Sequence, residues 1–216
     1  RYEEYLSHEK DMYGRFAHEN SLAYKEGFLN LPLINTWMID FAESLKQKFS
    51  PGSLRTIVNF QARTFRFQPT YDIDIAYSYK HKGLLRNAGG FIKSPSLERV
   101  KVLAGGLKDP FDCYDWLNNL HQQYHLNPIY FFLVAEKNGI YDKNILPYKK
   151  AIPKLVKQYA KDYAVGLHPS WQSGDDRTLL KKEKELLEDM AANAITRSRQ
   201  HYIRFNFPEG YQQLIT

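Results

Sequence analysis

The chain has 216 residues, 43% of them hydrophobic, which suits one medium domain, or one domain with an appendage, built on a real core. Its net charge of +6 is modest and its 30 Lys and Arg are scattered rather than blocked, which argues against a dedicated nucleic-acid module. A single cysteine, Cys113, rules out a disulfide framework and a cysteine zinc site, and no apolar run reaches the roughly 18 residues of a membrane span. The sequence opens at Arg1 without a signal peptide, so the native start is expected upstream and a cytoplasmic location is the expectation. The 16 Tyr and 13 Phe suit a sugar-contacting surface as well as a core.

Residues 1–49 read as helical. Charged pairs dominate the first ten positions, and Leu33, Trp37, Phe41, Leu45 and Phe49 recur at helical spacing. Ser50-Pro51-Gly52-Ser53 ends that helix. The stretch suits a helical element packed on the downstream residues, the tail of an upstream domain, or a helical interaction module.

From Thr64 strands alternate with helices. The first strand runs through Pro69-Thr70-Tyr71-Asp72-Ile73-Asp74. Asp72 and Asp74 are two apart, so on extended backbone they project from one face. Two adjacent acids resist burial unless a metal, a proton or a basic partner compensates them; solvation past the strand end is the other reading. A loop with Lys80-His81-Lys82-Gly83 and Gly89-Gly90 follows, then a helix over residues 96–103 stopped by Gly105-Gly106. Asp109-Pro110 has the composition of a helix start.

Residues 129–135 form a continuous apolar run, the mark of a strand buried on both faces. An amphipathic helix is expected over residues 143–161, with Pro147 and Pro153 starting or kinking it. A third strand over residues 163–167 leads into His168-Pro169-Ser170-Trp171. Asp175 or Asp176 caps a helix over residues 179–194, and residues 202–207 read as a fourth strand carrying Arg204 toward Pro208.

This alternation indicates parallel βαβ units, and no glycine-rich phosphate loop follows any strand. The polar residues Asp72, Asp74, His168 and Arg204 collect at C-terminal strand ends, as in a barrel. Four strands are too few to close one. The expectation is a partial barrel truncated at both ends, with a helical segment over residues 1–60 and the α/β domain over residues 61–216.

His168 sits where a strand becomes a loop. Together with the two acids it suggests a carboxylate–imidazole metal site, which needs one more protein group; His201 is the nearest candidate. His81 and His125 read as surface, and Cys113 as inert core. Ser170 lacks the strained elbow of a serine hydrolase. Arg199 and Arg204 suit either orientation of an acid and contact with substrate, or plain salt bridges.

Thr70-Tyr71-Asp72-Ile73-Asp74, Gly166-Leu167-His168-Pro169-Ser170, and Arg204-Phe205 with Pro208 and Tyr211 together resemble the polysaccharide deacetylase (NodB-homology, carbohydrate esterase family 4) superfamily. A divergent branch frequent in Bacteroidetes is similar over nearly the whole chain, through phrases such as Arg1-Tyr2-Glu3-Glu4-Tyr5-Leu6, Pro128-Ile129-Tyr130-Phe131-Phe132, Tyr141-Asp142-Lys143-Asn144 and Ser198-Arg199-Gln200-His201-Tyr202. The resemblance implies an incomplete (β/α)7 barrel. It also implies a divalent metal, Zn²⁺ first and Co²⁺, Ni²⁺ or Mn²⁺ as alternatives, and hydrolysis of N-acetyl or O-acetyl groups on a bacterial polysaccharide or oligosaccharide. Asp72 then matches the general base, Asp74 and His168 match metal ligands, and Arg204 matches the arginine that positions the acid. The two acids, adjacent in the family, are separated here by Ile73. Gln172 stands where a second histidine is expected, so His201 is the substitute ligand. The family's general-acid histidine would fall beyond Thr216, and the chain as given is expected to be weak or inactive. The alternative is a catalytically degenerate relative that binds a glycan or a protein.

Overall fold

The computed structural model describes residues 2–49 and 65–215. The chain forms two compact units, Arg1–Arg66 and Phe67–Thr216. In the first, α1 (Leu22–Lys25) begins at Ser21, whose hydroxyl accepts the Tyr24 N–H. The helical spacing of Leu33, Trp37, Phe41 and Leu45 is realised as α2 (Leu33–Lys48), of which only Ala42 is buried. The expected break at Ser50–Ser53 lies outside the described residues.

The second unit is built on a parallel sheet in the order β1 (Thr70–Ile73), β2 (Ile129–Phe132), β3 (Ala164–Leu167). Its register fixes the two faces. Ile73, Phe132 and Leu167 share a row, as do Tyr71, Tyr130 and Val165, and this face carries the core. The opposite face carries the row Asp72, Phe131, Gly166. Helices α3 (Leu84–Lys93), α4 (Leu97–Leu103) and α5 (Tyr114–Gln123) lie between β1 and β2 in the chain. Helix α6 (Ala151–Asp162) precedes β3; α7 (Arg177–Ala191) and α8 (Glu209–Leu214) follow it. Ser96 caps α4 with its side chain, and of the two aspartates expected to cap the later helix it is Asp176 that caps α7. Much of the aromatic content goes into the core: Tyr130, Tyr159 and Tyr114 pack ring against ring, with centroids 4.4 and 5.6 Å apart.

The partial (β/α)7 barrel is not what forms. Among the described residues the sheet has three four-residue strands, and those residues are 46% helix and 8% strand. A barrel needs the sheet to continue strand after strand until it closes on itself. Here the backbone beyond β3 adds one bridge, Leu167 with Ser198. The expected fourth strand is a 3₁₀ turn, His201–Ile203, in which Tyr202 and Ile203 have φ of 58° and 56°. Left-handed residues cannot continue a strand, whatever the aromatic and β-branched composition favours.

Three local expectations also change. Gly89 and Gly90 lie within α3, not in a loop. Asp109 does not start a helix. Its buried carboxylate accepts the N–H groups of Ser78, Tyr79, Lys80 and Phe111, which fastens the loop after β1, and α5 begins only at Tyr114 with Cys113 exposed at its start. The helix expected over residues 143–161 spans only α6, with Pro153 in its first turn.

The residues before α6 form a loop pinned by buried Asn144. Its amide donates to the carbonyls of Ile73 (2.9 Å) and Leu133 (2.8 Å), and its oxygen accepts the Ala76 N–H (3.0 Å). One side chain thus ties the ends of β1 and β2 together. Asn144→Ala orphans these buried groups and is expected to cost about 2–4 kcal/mol of unfolding free energy in urea titration. A loss under about 0.5 kcal/mol would show that the loop holds without it.

Candidate metal centre

The sheet brings the site together at the C-terminal ends of its strands. β1 runs into Asp74 and β3 into His168, whose N–H donates to the Phe132 carbonyl (3.0 Å) and so extends the ladder by one residue. His201 arrives on the segment that pairs with the end of β3. The Leu167 N–H donates to Arg197 O (2.9 Å) and the Arg199 N–H to Leu167 O (3.0 Å). The left-handed Tyr202 and Ile203 then reverse the chain directly after His201. For a β-branched residue such as Ile203 this conformation is strained, a cost that persists only where the surroundings enforce it.

Asp74, His168 and His201 place one ligand atom each within 4.8 Å of the others. Both imidazoles have their Nδ1 committed. His168 Nδ1 donates to the Arg199 carbonyl (2.6 Å), and His201 Nδ1 to the Asp142 carboxylate (3.1 Å). In the neutral rings each Nε2 is therefore a lone pair. These nitrogens lie 3.0 Å (His168) and 3.9 Å (His201) from Asp74 Oδ1, itself an acceptor that is buried with no hydrogen-bond donor. Three acceptors converge where a cation or an added proton is required. Burial pushes the Asp74 carboxyl up, but where His168 carries that added proton its hydrogen bond and charge, followed by the charge of His201, outweigh burial and hold the group below its ordinary value. Two imidazole nitrogens and one carboxylate oxygen form a donor set able to hold a metal ion. The histidines are buried while the Asp74 side chain is half-exposed, so the cluster faces solvent on its acid side.

Asp72 stands apart from these converging atoms. It pairs with Arg199 (3.0 Å), whose other terminal nitrogen donates to Thr70 Oγ1 (2.8 Å) and whose guanidinium lies 4.5 Å over the Phe131 ring. Gly166 makes room for this arrangement: a Cβ there would meet the Phe131 ring at 2.6 Å and the Arg197 carbonyl at 3.1 Å. Arg204 lies elsewhere. It donates to the Trp171 carbonyl (3.1 Å), stacks over the Trp171 ring and pairs with Asp175, closing the turn that follows His168. Gln172 donates to Asp142 Oδ2 (3.3 Å). His81 and His125 are exposed, as expected.

Sequence reasoning alone misses two buried acids. Asp142 lies within a polar loop stretch that carries no periodic signal. Glu183 does leave one, since it interrupts the apolar stripe of Leu180 and Leu187 on α7. Its Oε2 accepts the Ser170 N–H (3.0 Å) and the Ser173 hydroxyl (2.8 Å), and its Oε1 is buried without a partner. Ser170 is likewise buried, donating to Ser173 Oγ (3.3 Å), which suits a structural hydroxyl.

Fold and site together define a parallel α/β unit with an Asp-His-His candidate metal centre. A family of unknown function (DUF7033) matches residues 1–50, which lie within the first unit. No curated protein and no solved structure matches the chain. No helix among the described residues is long and apolar enough to cross a membrane.

Burial, reinforced by the charge of Asp142, raises the Glu183 carboxyl above its ordinary 4.5 against the opposing hydrogen bonds from Ser170 and Ser173. Between that value and the raised one the folded chain binds more protons than the unfolded chain, so stability declines as pH rises through the interval. Glu183→Gln removes this dependence. Its thermal midpoint is expected to gain on wild type as pH rises above the ordinary carboxyl range. A difference constant with pH would show that Glu183 is ionised throughout.

Proposed function

We propose that the second unit holds a divalent metal, Zn²⁺ first, on Asp74, His168 and His201, and that it hydrolyses N-acetyl or O-acetyl groups of a polysaccharide or oligosaccharide. The observation that carries the metal reading is the meeting of three acceptor atoms whose protons are committed elsewhere or absent. The substrate class is supported by the resemblance of the Thr70–Asp74 and Gly166–Ser170 stretches to polysaccharide deacetylases. The aromatic rings of Tyr141, Trp171 and Tyr202 beside His201 also suit the apolar faces of sugar rings.

When bound, the ion supplies Lewis acidity and lowers the pKa of water toward neutrality. Asp74 brings the negative charge and the two imidazoles bring the neutral nitrogens. Asp72, oriented by Arg199, would be the base that takes the proton of the attacking water. Arg204 holds the turn after His168 through Trp171 and Asp175, and so acts on the ligand rather than on the base.

A second reading, a degenerate relative that binds glycan without turnover, draws on one observation: Asp72 is engaged by Arg199 and lies outside the converging set.

The test is a Zn²⁺ or Co²⁺ titration of the protein, followed by an assay of acetate release from acetylated chitooligosaccharides and peptidoglycan fragments. One equivalent of metal is expected to bind, with affinity lowered at least about 100-fold in His168→Ala and His201→Ala. Acetate release is expected to fall about 100-fold or more in Asp72→Asn. Metal binding without acetate release favours the second reading; no metal binding by wild type removes the metal centre.

A further inference from the structure

Asp142 is 1% exposed, and an unpaired carboxylate so deeply buried is costly. Among the described residues no Lys or Arg pairs with it; the ring that faces it is the His201 imidazole, Nδ1 to Oδ1 at 3.1 Å. The same oxygen accepts the Trp171 N–H (2.9 Å), and Oδ2 accepts Gln172 Nε2 (3.3 Å). Trp171 and Gln172 belong to the turn that leaves His168. One carboxylate therefore joins the segment bearing His201 to the segment bearing His168.

The proton of His201 has two acceptors to choose between. Asp142 faces Nδ1 at 3.1 Å, and Asp74 faces Nε2 at 3.9 Å. The nearer, fully buried carboxylate takes it, and Nε2 is left as a lone pair aimed at Asp74 Oδ1. We infer that Asp142 is the positioning residue of the candidate metal centre: it fixes His201 as the Nδ1–H tautomer, orients its ring, and couples that ring to the His168 turn through Trp171 and Gln172. A carboxylate behind a histidine has this effect on ligand orientation in metal sites generally. The inference depends on the metal reading for its functional meaning, but the tautomer itself does not.

The experiment therefore begins without metal. In ¹⁵N-histidine-labelled protein, His201 of wild type is expected to show the Nδ1–H tautomer by long-range ¹H–¹⁵N correlation. In Asp142→Ala the remaining carboxylate is Asp74, so the proton is expected to move to Nε2. Nε2–H in wild type, or an unchanged tautomer in the folded variant, overturns the assignment. The near-isosteric Asp142→Asn keeps an acceptor for Trp171 and guards against a failure of the alanine variant to fold. In Asp142→Asn the Co²⁺ affinity is expected to fall about 10–100-fold and the Co²⁺ visible spectrum to change, at an unaltered metal-free thermal midpoint. Wild-type affinity and spectrum in that variant would overturn the positioning role. Failure of wild type itself to bind Co²⁺ would instead remove the metal reading and, with it, any role for Asp142 toward a metal.

Discussion

The short pairing of residues 197–199 with the end of β3 is the contact on which the rest of the site depends. Two backbone hydrogen bonds, one from Leu167 N–H to Arg197 and one from Arg199 N–H to Leu167, hold the segment in place. Through it the Arg199 carbonyl becomes the acceptor that sets the tautomer of His168, and the Arg199 guanidinium reaches across Phe131 to Asp72. Two residues further on the same segment delivers His201. Without a side chain at Gly166 the Phe131 ring and the Arg197 carbonyl occupy the space a Cβ would need, so a small residue on β3 is a condition for the whole arrangement.

The loops around the sheet are held by buried polar side chains instead of further strands. Asp109 gathers four N–H groups after β1, Asn144 ties the ends of β1 and β2, Asp142 joins the turn after His168 to His201, and Glu183 supports that turn from α7. Each brings a desolvation cost that its hydrogen bonds offset. The acids divide by environment. Four backbone donors hold Asp109 below the ordinary carboxyl range, whereas Glu183, with one oxygen unpartnered, is pushed above it. Rigid loops of this kind bring side chains from distant parts of the chain to one point, which a set of converging ligands requires.

Local chemistry was legible where it was strong. The continuous apolar run over residues 129–135 marked β2, the Asp175-Asp176 pair marked the start of α7, and the spacing of Leu33, Trp37 and Phe41 marked α2. Asp74, His168 and His201 were also readable as ligand candidates, because residues of those types at strand ends or loop joints have few structural reasons to occur together. Composition misled at residues 202–207, where Tyr, Ile and Phe favour a strand but the turn after His201 requires left-handed backbone. It misled again at Asp109, whose helix-start signature serves backbone amides some thirty residues away in the sequence.

The sequence by itself determined which short segments pair or coil and which residue types are available to bind a metal, since both follow from side chains acting on their own neighbourhood. Only the tertiary structure decided that the sheet stops at three described strands and that Arg199, not Arg204, meets Asp72. It also decided that Asp142 and Gln172 stand behind His201. Those outcomes rest on contacts between residues up to 127 positions apart, and the free energy of such contacts is set by burial and geometry that no local pattern encodes.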